Sequence, residues 1–369
     1  MPHAIRRYRW PVSLSKSSGR SVNLTARHRP PRRDSSGRGR KDRLGPTSVG
    51  AETPGKSAMS SGPGQWPLVS VILPTRGRSE LVRQALSSVI GQTYPGMIEC
   101  IVVHDQEPPR PELAELGTAD RSVRVVANSR SPGLAGSRNT GVALAGGEFI
   151  ASCDDDDVWH PTKLHAQISR LLDQPDLLVV GSGIRLMLPG GKVADWPGRA
   201  ERISYQLLLR NRVKELHSST LVMRWDAFAK AGLYDEAAPN GYAEDYDWVL
   251  RAARVGRIGT VVSPLADIRK DAQSWYPGHA AVTIAGLEYF LAKHRDLAAS
   301  RRGRARVLGQ IGFARSVLGE RRQALRCALA AIMLWPASPH GYLALTHTMT
   351  RLDRQHVLRV ARLFRRGLA

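Results

Sequence analysis

The chain has 369 residues and a formal charge of +22, from 54 Lys and Arg against 32 Asp and Glu. Residues 1–58 hold 14 basic and 3 acidic side chains and residues 291–369 hold 16 and 3, whereas the stretch between them holds 24 and 26. So basic a chain would ordinarily suggest a nucleic-acid partner, but the excess sits at the two ends and does not assign the near-neutral middle to duplex binding. No run reaches the roughly 18 apolar residues of a membrane span. Cys100, Cys153 and Cys327 are too far apart for a zinc site and read as buried thiols of a reducing compartment.

In chain order, the first 58 residues are rich in Arg, Ser, Gly and Pro without an apolar period, so they are expected to be disordered. They lack the apolar stretch of a secretory signal, and Met59 stands just before the first strand, which makes it the expected natural start. Apolar runs then predict strands over 69–73, 98–103, 123–127, 149–153 and 177–181. Helical periods lie between them. Leu81, Ala85, Leu86 and Val89 form one, the small-residue stretch GLAGSRNTGVALAGG suits another packed closely on a sheet, and Lys163, Leu164, Ile168, Leu171 and Leu172 form a third behind Pro161. This alternation implies a mainly parallel sheet with helices on both faces.

The fourth strand ends in CDDDDVW, where four adjacent carboxylates, Asp154 to Asp157, repel one another unless a cation sits among them. Ligands of open α/β sheets bind just beyond the carboxyl ends of strands, where this turn falls. Farther on, 183–196 reads as a strand pair around Pro189, Gly190 and Gly191, 217–223 as a strand, 225–231 and 244–255 as helices, and 258–262 as a last strand. The remainder is helical in pattern. GFARSVLGERRQALRCALAAIMLWPASPHGYLAL resembles one helix pair of a tetratricopeptide-type repeat, too little for a free solenoid, so it is expected to pack on the core.

The motifs PTRGR at 74–78, SSVIGQTYP at 87–95, VVHD at 102–105, GLAGSRNTGVALAGGEFIASCDDDDVWHPTKL at 133–164 and GYAEDYDWVLRAARVG at 241–256 together resemble the family 2 glycosyltransferases. The resemblance implies a GT-A, Rossmann-like, mixed and mainly parallel sheet flanked by helices. The chain would divide into a disordered basic segment over 1–65, the transferase domain over 66–275 and a helical region over 276–369. It implies an inverting enzyme that moves a sugar from a nucleotide-diphosphate donor to a glycan or lipid-linked acceptor, assisted by Mn2+ or Mg2+. By position, Asp154 and Asp156 match the metal-binding DxD pair, with Asp154 and Asp155 also against the donor. Pro74, Thr75 and Arg78 border the nucleotide, Asp105 reads the base, and Arg138 and Asn139 line the donor site. Asp245 is the expected general base, sharing a helical face with Val249, Ala252 and Ala253, while Glu244 lines up with Trp248 and Arg251. His104, Arg76 and Gly77 depart from the commoner family residues and leave the base open, and His217 is a candidate to face the acceptor.

Chemistry agrees with this reading, since a departing diphosphate develops charge that a hard cation with oxygen ligands neutralises. The expected setting is the cytoplasm, with peripheral contact to an anionic inner membrane face and no nucleic acid. A nicotinamide oxidoreductase would need G-x-G-x-x-G after the first strand, where PTRGRSE stands. A non-catalytic protein binding nucleic acid or anionic surfaces through its basic ends is the other alternative.

Overall fold

A computed structural model describes residues 66–188, 190–199, 203–269 and 278–350. The expectations for residues 1–65, disorder and a start at Met59, fall outside the described residues, as does Pro189 of the expected hairpin turn.

Four strands, β1 (Val69–Thr75), β2 (Ile98–His104), β3 (Arg121–Ala127) and β4 (Phe149–Ser152), pair in parallel in the order β3-β2-β1-β4. Their crossovers carry α1 (Ser79–Ile90) and α2 (Leu134–Leu144). The sheet continues through β8 (Val222–Arg224), antiparallel to both β4 and β6 (Leu177–Leu188), and β6 in turn pairs in parallel with β9 (Arg257–Arg269). Beyond them lie the two-residue β5 (Val158–Trp159) and a hairpin partner of β6, β7 (Lys192–Trp196). Beside β1, β4 covers only Val69 to Ile72. Pro74, which has no amide hydrogen to give, therefore lies past the end of that neighbour, and a notch opens at the carboxyl ends of β1 and β4.

Each face of the sheet has its own core. On one, α1 and α3 (Lys163–Asp173) bring Val82, Leu86, Val89, Leu164, Ile168 and Leu171 onto Val69, Val71 and Leu73. On the other, α2, α5 (Asp226–Ala231) and α6 (Glu244–Val255) pack on Ile72, Ile101 and Val103. Inward and outward residues thus alternate along β1, as a strand buried on both faces requires.

The helical region joins the second core. Helices α7 (Gly278–Lys293), α8 (Arg295–Ala299) and α9 (Arg301–Val317) add Leu287, Phe290, Leu297, Val307 and Ile311 to the same cluster as Trp248 and Val249. Packing on the core is as expected, but the repeat-like pair is a trio. Helices α9, α10 (Arg321–Leu334) and α11 (Pro339–Thr350) all touch one another. Small residues permit this, since a Cβ at Gly309 would lie 2.6 Å from His340 and one at Gly341 2.9 Å from Ile332.

Two other expectations change. Of the predicted 217–223 strand only residues 222 and 223 are extended, within the strand Val222–Arg224, because Ser218–Thr220 form a 3-10 turn in which Thr220 Oγ1 donates to the carbonyls of Glu215 and His217. The last strand runs on to Arg269, past bulges where Gly183 and Pro264 break its register with β6. A short α4 (Tyr205–Arg210), capped by Ser204, had no sequence expectation. Cys100 and Cys153 are buried as expected and Cys327 is half-buried, all three free. Among the described residues no helix is long and apolar enough to cross a membrane.

Candidate active site

The acidic turn fills the notch beyond β1 and β4. Asp155 turns inward, accepting from Thr75 Oγ1 at 2.8 Å, from the Arg76 amide at 3.4 Å and from Arg78 at 2.9 Å. Asp156 stands at the rim, its side chain 26% exposed, with Arg78 at 2.7 Å. Asp154 accepts from Arg138 at 2.6 Å and from Ser218 Oγ at 2.5 Å. Asp157 accepts from Ser219 Oγ at 2.5 Å and from the Arg269 amide at 3.1 Å, with His217 Nδ1 3.7 Å away. One ligand-type atom each from Asp154, Asp157 and His217 lie within 4.8 Å of one another.

The electrostatics of the turn are unbalanced. Burial, then the charges of Asp154 and Asp156, push the Asp157 carboxyl well above its ordinary range. Burial and Asp154 likewise raise Asp156, and burial raises Asp155 despite Thr75 and Arg78. Asp154 is also desolvated, but Arg138, His217 and Ser218 outweigh this and hold it low. Three carboxyls resisting ionisation side by side, with oxygen donors and one imidazole converging, are a donor set that fits Mg2+ or Mn2+.

The expected donor residues gather around this turn unequally. Pro74, Thr75 and Arg78 border it, and Arg138 is fully buried between Asp154 and Glu244, donating to both. Asp105 follows directly on β2 and accepts from the Gly133 amide at 3.0 Å and from Asn128 at 2.9 Å. These bonds outweigh its burial and hold its carboxyl low. Asn139 faces away from the turn, donating to the Tyr234 carbonyl and Glu236 and accepting from the Tyr234 amide. Its observed contacts tie down the 234–236 loop. His104 is buried and pairs with Glu107 at 2.8 Å.

Helix α6 brings its first turn to the opposite wall. Ala243, just before it, adopts left-handed angles (φ 59°, ψ 29°), which cost an L-residue roughly 1–2 kcal/mol and fix the helix entry. Asp245 is nearly buried, its side chain 10% exposed, and Arg212 approaches its two oxygens at 3.0 and 3.2 Å. Although burial raises it, Arg212, Arg138 and His217 together depress the Asp245 carboxyl. Glu244 was expected on a different face from Asp245, yet both are buried, Glu244 against the guanidinium of Arg138 from α2. Burial, together with Asp245, pushes Glu244 upward in spite of Arg138. Asp247 points away into a clasp from α7 and its end, with Lys293 at 2.7 Å and His294 at 2.8 Å.

Asp154 and Asp245 thus share two basic neighbours, Arg138 and His217. Asp157 was read only as one of the four carboxylates of the turn, and Ser218, Ser219 and Arg212 escaped the sequence reading. The SST run after His217 was its one visible signal, and Arg212 had none.

Residues 70–220 match the family described as Glycosyl transferase family 2. The Escherichia coli protein UDP-Glc:alpha-D-GlcNAc-diphosphoundecaprenol beta-1,3-glucosyltransferase WfgD is 31% identical over 144 residues, covering 39% of this chain and 56% of that protein. The chain spans about half the length of the curated relatives it matches. Among solved structures, S. aureus TarS 1-349 in complex with UDP aligns over 80% of this chain and 92% of that one, with a TM-score of 0.53 and 18% identity. Mannosyltransferase PcManGT from Pyrobaculum calidifontis, in complex with GDP-Man and Mn2+, aligns over 82% and 88%, with a TM-score of 0.50 and 17% identity. The sheet order and flanking helices are therefore those of the GT-A fold, and within it residues 70–220 carry the match to glycosyl transferase family 2.

Proposed function

We propose that the protein transfers a sugar from a nucleotide-diphosphate donor to a hydroxyl of a glycan or lipid-linked acceptor, with inversion at the anomeric carbon. The observation that carries this is the buried Arg138, which joins Asp154 of the acidic turn to Glu244 at the start of α6 and so sets two carboxylate groups on facing walls of one cleft. Single displacement needs that opposition, with the leaving diphosphate on one side and a proton acceptor on the other. Asp154 and Asp156, with Asp157 and His217 beside them, would hold Mg2+ or Mn2+, which when bound neutralises charge on the departing diphosphate. Asp245 takes the proton of the attacking hydroxyl, and Thr75, Arg78 and Asp105 border the nucleotide. The GDP-Man and Mn2+ of the archaeal neighbour, the UDP of TarS and the diphosphate-linked acceptor in the name of WfgD are compatible with this reading.

Thermal melting with UDP, GDP or dTDP, each with and without manganese, tests it. One nucleotide should raise the melting temperature in a metal-dependent way, by about 2.7 kcal/mol of stabilisation at a hundredfold excess over its dissociation constant. Stabilisation by none of them, with or without metal, would refute the donor assignment.

A further inference from the structure

The depressed carboxyl of Asp245 is at odds with its role. A base clamped through both oxygens by a guanidinium holds its lone pairs toward that cation, so the attacking hydroxyl meets it only after Arg212 has moved. Arg212 is reachable from solvent, its side chain 42% exposed while that of Asp245 is 10% exposed. A second guanidinium waits beside it. Arg306 of α9 is 7% exposed, and its Nε has no partner among the described residues. Its other contacts are long, 3.4 Å to Gln310 and 3.5 Å to the Tyr246 hydroxyl. Arg212 and Arg306 lie 5.8 and 5.7 Å from the centre of the same Tyr246 ring. No carboxylate among the described residues forms an ion pair with Arg306, so these two cations have one carboxylate, Asp245, between them. A buried cation without a counter-ion costs several kcal/mol, which an arriving anion recovers.

Resting on the transferase reading above, we propose that Arg212 is a latch on Asp245, opened by a phosphate-class oxyanion of the acceptor. The oxyanion takes Arg212, with Arg306 behind it, and leaves Asp245 free. The acceptor O–H then gives its proton to the Asp245 carboxylate as its oxygen bonds to the anomeric carbon. The bond from that carbon to the diphosphate oxygen breaks, and the nucleoside diphosphate leaves with the electron pair. Binding of the correct acceptor and activation of the base are thereby one event, and water, which is uncharged, does not open the latch.

Hydrolysis of the donor by water reads the latch without knowledge of the acceptor. UDP-glucose, UDP-N-acetylglucosamine and GDP-mannose are incubated with the full chain and magnesium, and free sugar is measured with methyl phosphate or with potassium chloride at matched ionic strength. Methyl phosphate should accelerate hydrolysis by the wild type about tenfold, within the range an acid–base group controls. Arg212→Gln should hydrolyse faster than wild type without any phosphate and ignore methyl phosphate, while Arg212→Lys, which keeps the cation, stays slow and responsive. A variant Arg212→Gln that is slower than or equal to wild type, or a wild type indifferent to methyl phosphate, overturns the latch. So does hydrolysis by neither protein, and nucleotide-dependent stabilisation, which requires neither residue, then judges the transferase reading by itself.

Discussion

The two walls of the cleft carry opposite imbalances of charge. On the wall built by β1 and β4, four aspartates crowd one turn and three of them are pushed toward their neutral forms. On the side where Arg212 and Arg306 meet α6, the two guanidiniums have one ion-pair partner between them among the described residues, Asp245, which is pushed toward its charged form. Such imbalances destabilise a folded chain unless a ligand of the missing sign completes them. One wall fits a cation with its diphosphate, the other an anion beside a reactive hydroxyl. Arg138 reaches both sides and has a carboxylate partner on each.

The largest effect expected from breaking this contrast lies on the cationic wall. Asp245→Asn should lower turnover by roughly a hundredfold or more, as loss of an acid–base group does, while nucleotide- and manganese-dependent stabilisation stays near wild type. A defect confined to donor binding would place the base elsewhere, with Glu244 the next residue to replace.

The acidic wall should respond in the complementary way. Asp156→Asn keeps the shape but withdraws one charge, so the manganese concentration for half-maximal turnover should rise by at least the roughly ten- to hundredfold lost when a group merely supporting a ligand is removed. An unchanged metal requirement would remove Asp156 from the ligand set.

A smaller effect, on stability alone, sharpens the contrast from outside the cleft. Lys163 is fully buried, its Nζ lies 3.9 Å from the Trp159 ring centre without a hydrogen-bond partner, and burial lowers its pKa to about 7. The unfolded chain keeps this proton up to an ordinary lysine pKa near 10.4. Between about 7 and that value the unfolded state binds more protons than the native one, so the penalty is complete below about 7 and fades as pH rises. Lys163→Met should therefore stabilise the protein by roughly 1–4 kcal/mol at or below neutral pH and by less near pH 10, as read by denaturant unfolding. Equal gains at both values would show that packing, not charge, is responsible.

Much of this was legible in the chain because its signals are local. The runs that became β1, β2 and β4 are nearly all apolar, and the aspartates follow β4 directly, so the strands and the position of the turn could be read together. What could not be read depends on distant partners. Arg212 meets Asp245 across 33 positions and Ser218 meets Asp154 across 64, and neither arginine nor serine announces such a partner in sequence. Asn139 was assigned to the donor site on the strength of its motif, whereas its amide bonds hold the 234–236 loop. The third helix of the C-terminal trio was hidden for another reason. Its close approach is made by glycines, which carry no apolar period.

The clasp on Asp247 bears on how this protein can be taken apart. Lys293 and His294 hold the fourth residue of α6, Asp247, from the far side of the expected domain boundary, two positions after Asp245, and Phe290 stacks on Tyr246. A cut between the sheet and the helical region would expose that ring and release the helix that carries Asp245, the proposed base. The unit that can be exchanged between relatives is therefore the catalytic domain together with α7 to α9, and chimaeras joined near residue 275 should lose their reactive geometry even where they remain folded.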